Sequence, residues 1–223
     1  MVVVMKNLIF SLILTVLLSP VVTTQAMEEG DKTLSGIVSY YLPDSSFYKA
    51  AAGLDLKYAW WREDGKAYAF SVGYTQWGLK GQSEIRSNAG GATGIGLGGD
   101  VNMIPIGLSA IWRNQTDYNR NLDVSLELGA KYAIADSGAQ ATVVTSVPGG
   151  GAAVGQSGID VEDSAYLFVA IDLAMLFSDY SDFVLGVGYN YDILSGDVRA
   201  AGGKIEENAL TGFFFNLGYS HRF

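Results

Sequence analysis

Apolar residues recur at every second position over most of this chain, with small, polar or charged residues between them. That is the period of a half-buried β-strand, not of a helix. Eight segments carry the pattern. The first, Thr33 to Leu42, puts Leu34, Val38 and Tyr40 on one face. The second, Gly53 to Trp61, sets Leu54, Leu56, Tyr58 and Trp60 against Asp55, Lys57 and Ala59. The third, Ala67 to Leu79, sets Tyr68, Phe70, Val72 and Tyr74 against Ala69, Ser71, Gly73 and Thr75. The fourth, Val101 to Arg113, offers Ile104, Ile106, Leu108 and Trp112 on one face, with Gly107, Ser109 and Arg113 opposite. In the fifth, Leu122, Val124, Leu126, Leu128, Tyr132 and Ile134 alternate with Asp123, Ser125, Glu127, Gly129 and Lys131. The sixth runs from Ala165 to Phe177 and the seventh from Phe183 to Ile193, with Asp172 and Asp192 on their polar faces. The eighth ends the sequence, with Phe213, Phe215, Leu217, Tyr219 and Phe223 on one face and Asn216, Ser220 and Arg222 on the other.

The connections add a second rhythm. Those after the second, fourth and sixth segments (62–66, 114–120 and 178–182) are short and polar, whereas those after the third, fifth and seventh are long and glycine-rich. Only the first connection on the long-loop side, near Pro43 to Lys49, is short. Within 135–163, Ala141–Val147 is β-prone, Pro148–Gly151 is a turn and Ile159–Val161 returns, so the fifth and sixth strands are expected to continue as a protruding hairpin. Gly202-Gly203 predicts a smaller one in the last long loop. A ten-stranded arrangement that brings the larger hairpin into the wall is the alternative.

Composition narrows the class. The sequence has no Cys and one His among 223 residues, which leaves disulfides, thiol chemistry and ordinary zinc or iron sites without ligands. At the N-terminus Lys6, the apolar run Leu8 to Leu18, Pro20 and Thr24-Gln25-Ala26 read as a cleaved signal peptide over residues 1–26, leaving 27–223 as one domain. The mature part carries 13 basic and 23 acidic residues, a net charge of −10, which argues against nucleic-acid binding. After residue 26 no apolar run reaches the ~18 residues of a spanning helix, so a membrane role requires a closed barrel. Trp60, Trp112, Phe177, Phe183 and Phe223 fall at one set of strand ends and Tyr40, Tyr41 and Trp77 at the other, as two interfacial girdles would.

Candidate chemistry is sparse. Gly94-Ile-Gly-Leu-Gly-Gly99 matches a dinucleotide-binding pattern, but a β-strand follows where a helix is required, and the segment reads as a loop. The charges Asp55, Lys57, Glu127, Lys131, Asp172, Asp192 and Arg222 fall on the inward faces. In so narrow a barrel they must pair, as a plugging network or as the lining of a narrow pore. Asp160, Glu162 and Asp163 crowd one rim, either as a solvated edge or as oxygen ligands for a divalent cation. The residues two away from His221 on its own face are Tyr219 and Phe223, and the adjacent Ser220 points to the opposite face, so its strand sets up no nucleophile for it.

The signal peptide, the alternation of loop lengths and the strand ending in Phe223 resemble the small eight-stranded outer-membrane β-barrels of the OmpA, OmpX and OmpW type, over 27–223. The resemblance implies an all-β, single antiparallel up-and-down transmembrane barrel with short periplasmic turns and long external loops. It implies that Phe215, Leu217, Tyr219 and Phe223 form a C-terminal insertion signal read by the barrel-assembly machinery, with periplasmic chaperones as earlier partners. Outer-membrane lipid and lipopolysaccharide would surround a monomer that holds no cofactor. The expected role is non-enzymatic, in adhesion or envelope stability through the external loops. A narrow porin-like channel for small or hydrophobic solutes is the alternative, and a lipid A-modifying enzyme a third.

Overall fold

Two-residue alternation closes the chain into a wall and then carries it beyond the wall. The structure, a computed structural model, describes residues 29–223 apart from 64, 82–83, 89–90, 117–118, 148–150, 179 and 201–202. The expected signal peptide lies outside the described residues. The described strands are β1 (Lys32–Pro43), β2 (Ala51–Glu63), β3 (Lys66–Gly78), β4 (Glu84–Asn88), β5 (Gly91–Gly98), β6 (Asp100–Thr116), β7 (Asn119–Ser137), β8 (Gln140–Val147), β9 (Gly151–Val161), β10 (Ser164–Ser178), β11 (Ser181–Leu194), β12 (Gly196–Ala200), β13 (Gly203–Asn208) and β14 (Gly212–Arg222).

Eight of them form a closed antiparallel barrel in the order β1-β14-β11-β10-β7-β6-β3-β2. The last strand closes it against the first, from Thr33↔Arg222 to Pro43↔Gly212, so the terminal aromatic segment is part of the wall. Leu34, Val38, Leu54, Leu56, Leu108, Leu185 and Leu217 stand exposed outside, while Ser35, Ser39, Asp55, Ser71, Glu127 and Asp172 are buried inside. The tight turns lie at the end where Lys32 begins β1 and Phe223 follows β14, here the turn end. The long connections gather at the other, the loop end.

Apart from register shifts near strand ends, the barrel ladders break at one place among the described residues. Between β3 and β6 the ladder runs to Val72↔Ile106 and resumes at Thr75↔Met103, so Gly73 and Tyr74 lack the register partners Pro105 and Ile104. Proline has no N–H to donate, and Pro105, fully buried, removes the bond at this position.

At the loop end the strands rise into a second sheet in the order β13-β12-β9-β8-β5-β4. The hairpin of β8 and β9 and the smaller one of β12 and β13 stand where the β-prone and Gly-Gly segments placed them. The glycine run 94–99 differs from the expected loop: Gly94 to Gly98 belong to β5, which pairs with both β4 and β8. Glycine is tolerated there because two flanking strands supply the backbone hydrogen bonds. Only Gly99, at φ +99°, turns the chain into β6.

Candidate functional site

The barrel interior is filled at three levels, each built by side chains that the strand period turns inward. Nearest the turn end, Arg113 of β6 lies between two carboxylates. Its Nε donates to Asp123 Oδ2 at 2.6 Å and its Nη1 to Asp182 Oδ2 at 2.8 Å, with all three side chains at most one-tenth exposed. Two charge-assisted bonds to one guanidinium join β6, β7 and β11 across the lumen.

The middle level is a belt of crossed ion pairs. β2 and β7 are not neighbours in the wall, yet Lys57 Nζ donates to Glu127 Oε2 at 2.7 Å and Lys131 Nζ donates to Asp55 Oδ1 at 2.9 Å. Ser109 Oγ donates to Glu127 Oε1 at 2.6 Å, and the Lys131 ammonium lies 5.6 Å from the centre of the Phe168 ring. Asp172 is buried below the belt. Cavities of about 30 and 40 Å³ flank it, the second lined by Thr33, Ser35, Ser125 and Ser220 and large enough for a water molecule.

The third level closes the loop end. The short connection after β1 folds into the mouth and buries Phe47 and Tyr48 completely. Their rings pack edge to face at 4.8 Å, and Trp77 stacks 5.4 Å from both Tyr41 and Tyr48. Backbone bonds from Lys80 N to Phe47 O and from Lys49 N to Gly78 O tie the loop to the end of β3. Tyr48 Oη donates to Asn208 Oδ1 at 2.7 Å, and Asn208 Nδ2 donates to the Glu162 carbonyl, linking the loop to β13 and β9. Burial pushes the Tyr48 phenol well above its ordinary pKa, so it remains a donor at any physiological pH.

Glycines make this filling sterically feasible. Phe214 lies across the strand pair from Gly188 and Phe168 across from Gly129, and a Cβ at either glycine would collide with the facing ring.

The seven inward charges expected to form one network divide. Asp55, Lys57, Glu127 and Lys131 meet in the belt, with Asp172 beside them. Asp192 instead accepts from the Thr211 N–H and hydroxyl near the loop end. Arg222 sits at the turn end, 3.6 Å from Asp31. Each lies near the end of a strand, too far along it to reach the middle level.

In the girdle, Trp60, Trp112 and Phe183 are on the outer face, Phe183 exposed and the tryptophans half-buried, whereas Trp77 and Tyr41 face inward. Their inward register makes them part of the lid, which overturns their assignment to the girdle. The Phe177 side chain lies outside the described residues. Phe215, Leu217 and Tyr219 stand exposed on the outer face of β14, and Phe223, just past its end, is exposed as well.

Two of the three rim acids are engaged. Asp163 accepts from Tyr132 Oη and the Ala135 N–H, and Glu162 pairs with Arg199 at 3.0 Å. His221 gains a neighbour that its own strand does not offer. Ser181, across the β11–β14 pair, places Oγ 3.1 Å from Nδ1 and 2.9 Å from Tyr219 Oη. Sequence reasoning also missed the Arg113 cluster and the folded-in loop. Arg113 and Asp123 were visible as inward positions at the ends of their strands; nothing in 44–50 except the adjacent rings Phe47 and Tyr48 signalled a plug.

An apolar exterior around a polar, ion-paired interior, in a wall without free edges, defines an integral membrane β-barrel of eight strands. Its fold is that of the small outer-membrane barrels. It is similar to the crystal structure of the outer membrane protein OprG from Pseudomonas aeruginosa, with a TM-score of 0.60 at 14% identity over 90% of this chain and 99% of that one. Weaker likenesses are to Ail, the attachment invasion locus protein of Yersinia pestis (TM-score 0.42, 15% identity, 87% of this chain and 99% of that one), and to outer membrane protein W of E. coli (TM-score 0.39, 12% identity, 88% and 99%). No protein-family model and no curated protein matches the sequence.

Proposed function

We propose that this chain is a non-enzymatic protein of the bacterial outer membrane, with the turn end in the periplasm, and that it acts through the sheet it raises outside the cell. The observation that carries this reading is the contrast between its two halves. The lumen is crossed by Arg113, by the Lys57–Glu127 and Lys131–Asp55 pairs and by the Phe47–Tyr48–Trp77 lid. Six strands continue beyond the barrel with their backbone edges unclosed. Such an object suits adhesion or envelope stability better than transport of ions. Reconstituted in a planar bilayer, it is expected to give no discrete conductance steps. Regular steps whose size changes in Glu127→Ala would show a pore through the belt and overturn the reading.

The interruption at Pro105 favours a second reading, passage of an apolar solute. A solute that displaced the apolar lid would be stopped by the charged belt, and the gap in the β3–β6 ladder is the one place among the described residues where the wall's pairing breaks. Pro105→Ala restores a donor opposite Gly73 and is expected to raise stability by about 1 kcal/mol, the net worth of one hydrogen bond. If cells expressing the variant take up an apolar dye as fast as wild type, this second reading fails.

A further inference from the structure

The external sheet follows the barrel's own strand order but stops two strands short of closing. β13 leads into β14, β12 follows β11, β9 leads into β10, β8 follows β7, β5 leads into β6 and β4 follows β3, so among the described residues no strand stands above β1 and β2. The short loop between those two strands occupies only the base of the gap. It touches one side through Ser46 and Glu206 and the other through the Tyr48–Leu79 bridge. Above it, among the described residues, neither β4 nor β13 pairs on its outer side. Because the sheet has six antiparallel strands, its two edges run in opposite directions. A single added strand would be antiparallel to one edge and parallel to the other. Two antiparallel strands satisfy both edges, and at ~4.8 Å per strand they match the width that β1 and β2 leave open.

The chemistry beside β13 describes the occupant further. On the inner side Val198 is buried, and the partly buried Ile205 packs against the same core. On the outer side, the carboxylates of Glu162, Asp197 and Glu207 share two cations, Arg199 and Lys204, and exposed Asp160 lies opposite Arg199 in the ladder. Hydrogen bonds from Lys204 and then Arg199 hold the Asp197 carboxyl below the usual range, so this carboxylate stays ionised at neutral pH. Resting on the external-surface role above, we propose that this gap is the docking site for a β-hairpin of a partner protein, apolar on the face it turns inward and basic on the other, which completes an eight-stranded external cylinder by pairing with β13 and β4.

A cyclised hairpin peptide of alternating Val and Lys, with strands matching the five residues of β4, tests this against the mature protein in lipid nanodiscs. Hydrogen exchange is expected to slow in both β4 and β13 at saturating peptide. Binding should fall ~10-fold in the double variant Asp160→Lys/Glu207→Lys and recover with a Val/Glu peptide, as charge complementarity requires. A peptide N-methylated on its backbone should not bind. Protection of one edge only, protection of neither, or binding that survives N-methylation overturns the proposal. Edges that become protected without peptide as protein concentration rises also overturn it, in favour of self-association. Regular conductance would remove the functional reading and leave protected edges standing; a silent barrel with unprotected edges removes the hairpin alone.

Discussion

Replacing Arg113 by Met is expected to lower the unfolding free energy by about 3–5 kcal/mol at neutral pH, because it leaves two buried carboxylates facing each other without a cation. Asp123 and Asp182 both bond to this one guanidinium. Removing the cation while they remain ionised forfeits both bonds and adds their mutual repulsion. Removing the whole cluster should cost far less: Arg113→Met combined with Asp123→Asn and Asp182→Asn is expected to recover most of the loss, since no buried charge is then stranded. Urea unfolding in lipid vesicles, followed by tryptophan fluorescence, reads all of these variants. Arg62→Met, at an exposed position on the same side of the barrel, is the control. A loss at Arg113 no larger than that at Arg62 would show that the cluster is not the clamp described above.

The second large effect tests the lipid-facing side. Leu108 stands 66% exposed in the middle of β6, and its neighbour Ser109 turns inward to Glu127. Arginine at a lipid-facing position near the bilayer midplane costs about 2–4 kcal/mol, so Leu108→Arg should destabilise the protein by that amount in vesicles. Ser109→Arg meets a carboxylate instead of hydrocarbon, and its penalty should come from crowding and weaken when Glu127 is shortened to Asp. Equal responses of the two arginines to that shortening would refute the register.

The wall was legible because its rule is local. Two-residue alternation from Leu122 to Ile134, or from Phe213 to Phe223, follows from which side of a strand meets lipid, and each segment can be read without the others. The short polar turns were legible for the same reason. The site was only half legible, because it depends on which inward residues reach one another across the lumen. Lys57 and Glu127 sit on strands that are not neighbours, so their pairing comes from closure and stagger, not from spacing. Arg113 was visible as an inward residue, but its two partners lie on different strands. Ser181 meets His221 only through the β11–β14 register.

The lid was hidden more deeply. Phe47 and Tyr48 sit in a short connection, where such rings commonly mark an interface. Only the tall strands around the mouth give them an interior to enter. Trp77 departs from the girdle for a related reason: position at a strand end does not decide a ring's environment, and its parity with Thr75 turns it inward. The external hairpin of β4 with β5 has no signal in the sequence because glycine-rich segments have little strand propensity of their own. β5 holds its shape through its neighbours.

The two glycines beneath Phe168 and Phe214 make the upper lumen a question of volume more than of charge. In each pair, a large inward ring rests on the smallest possible partner, and the two rings meet each other and Tyr41 across the upper lumen. Shortening both rings to Ala would open a vestibule from the lid down to the belt without disturbing an ion pair. A relative could acquire an internal ligand chamber by two substitutions, while its wall, its turns and its external sheet stayed as they are. Enlarging the glycines instead would be resisted at once. The interior of this barrel can therefore change readily by becoming hollow and only with difficulty by becoming fuller.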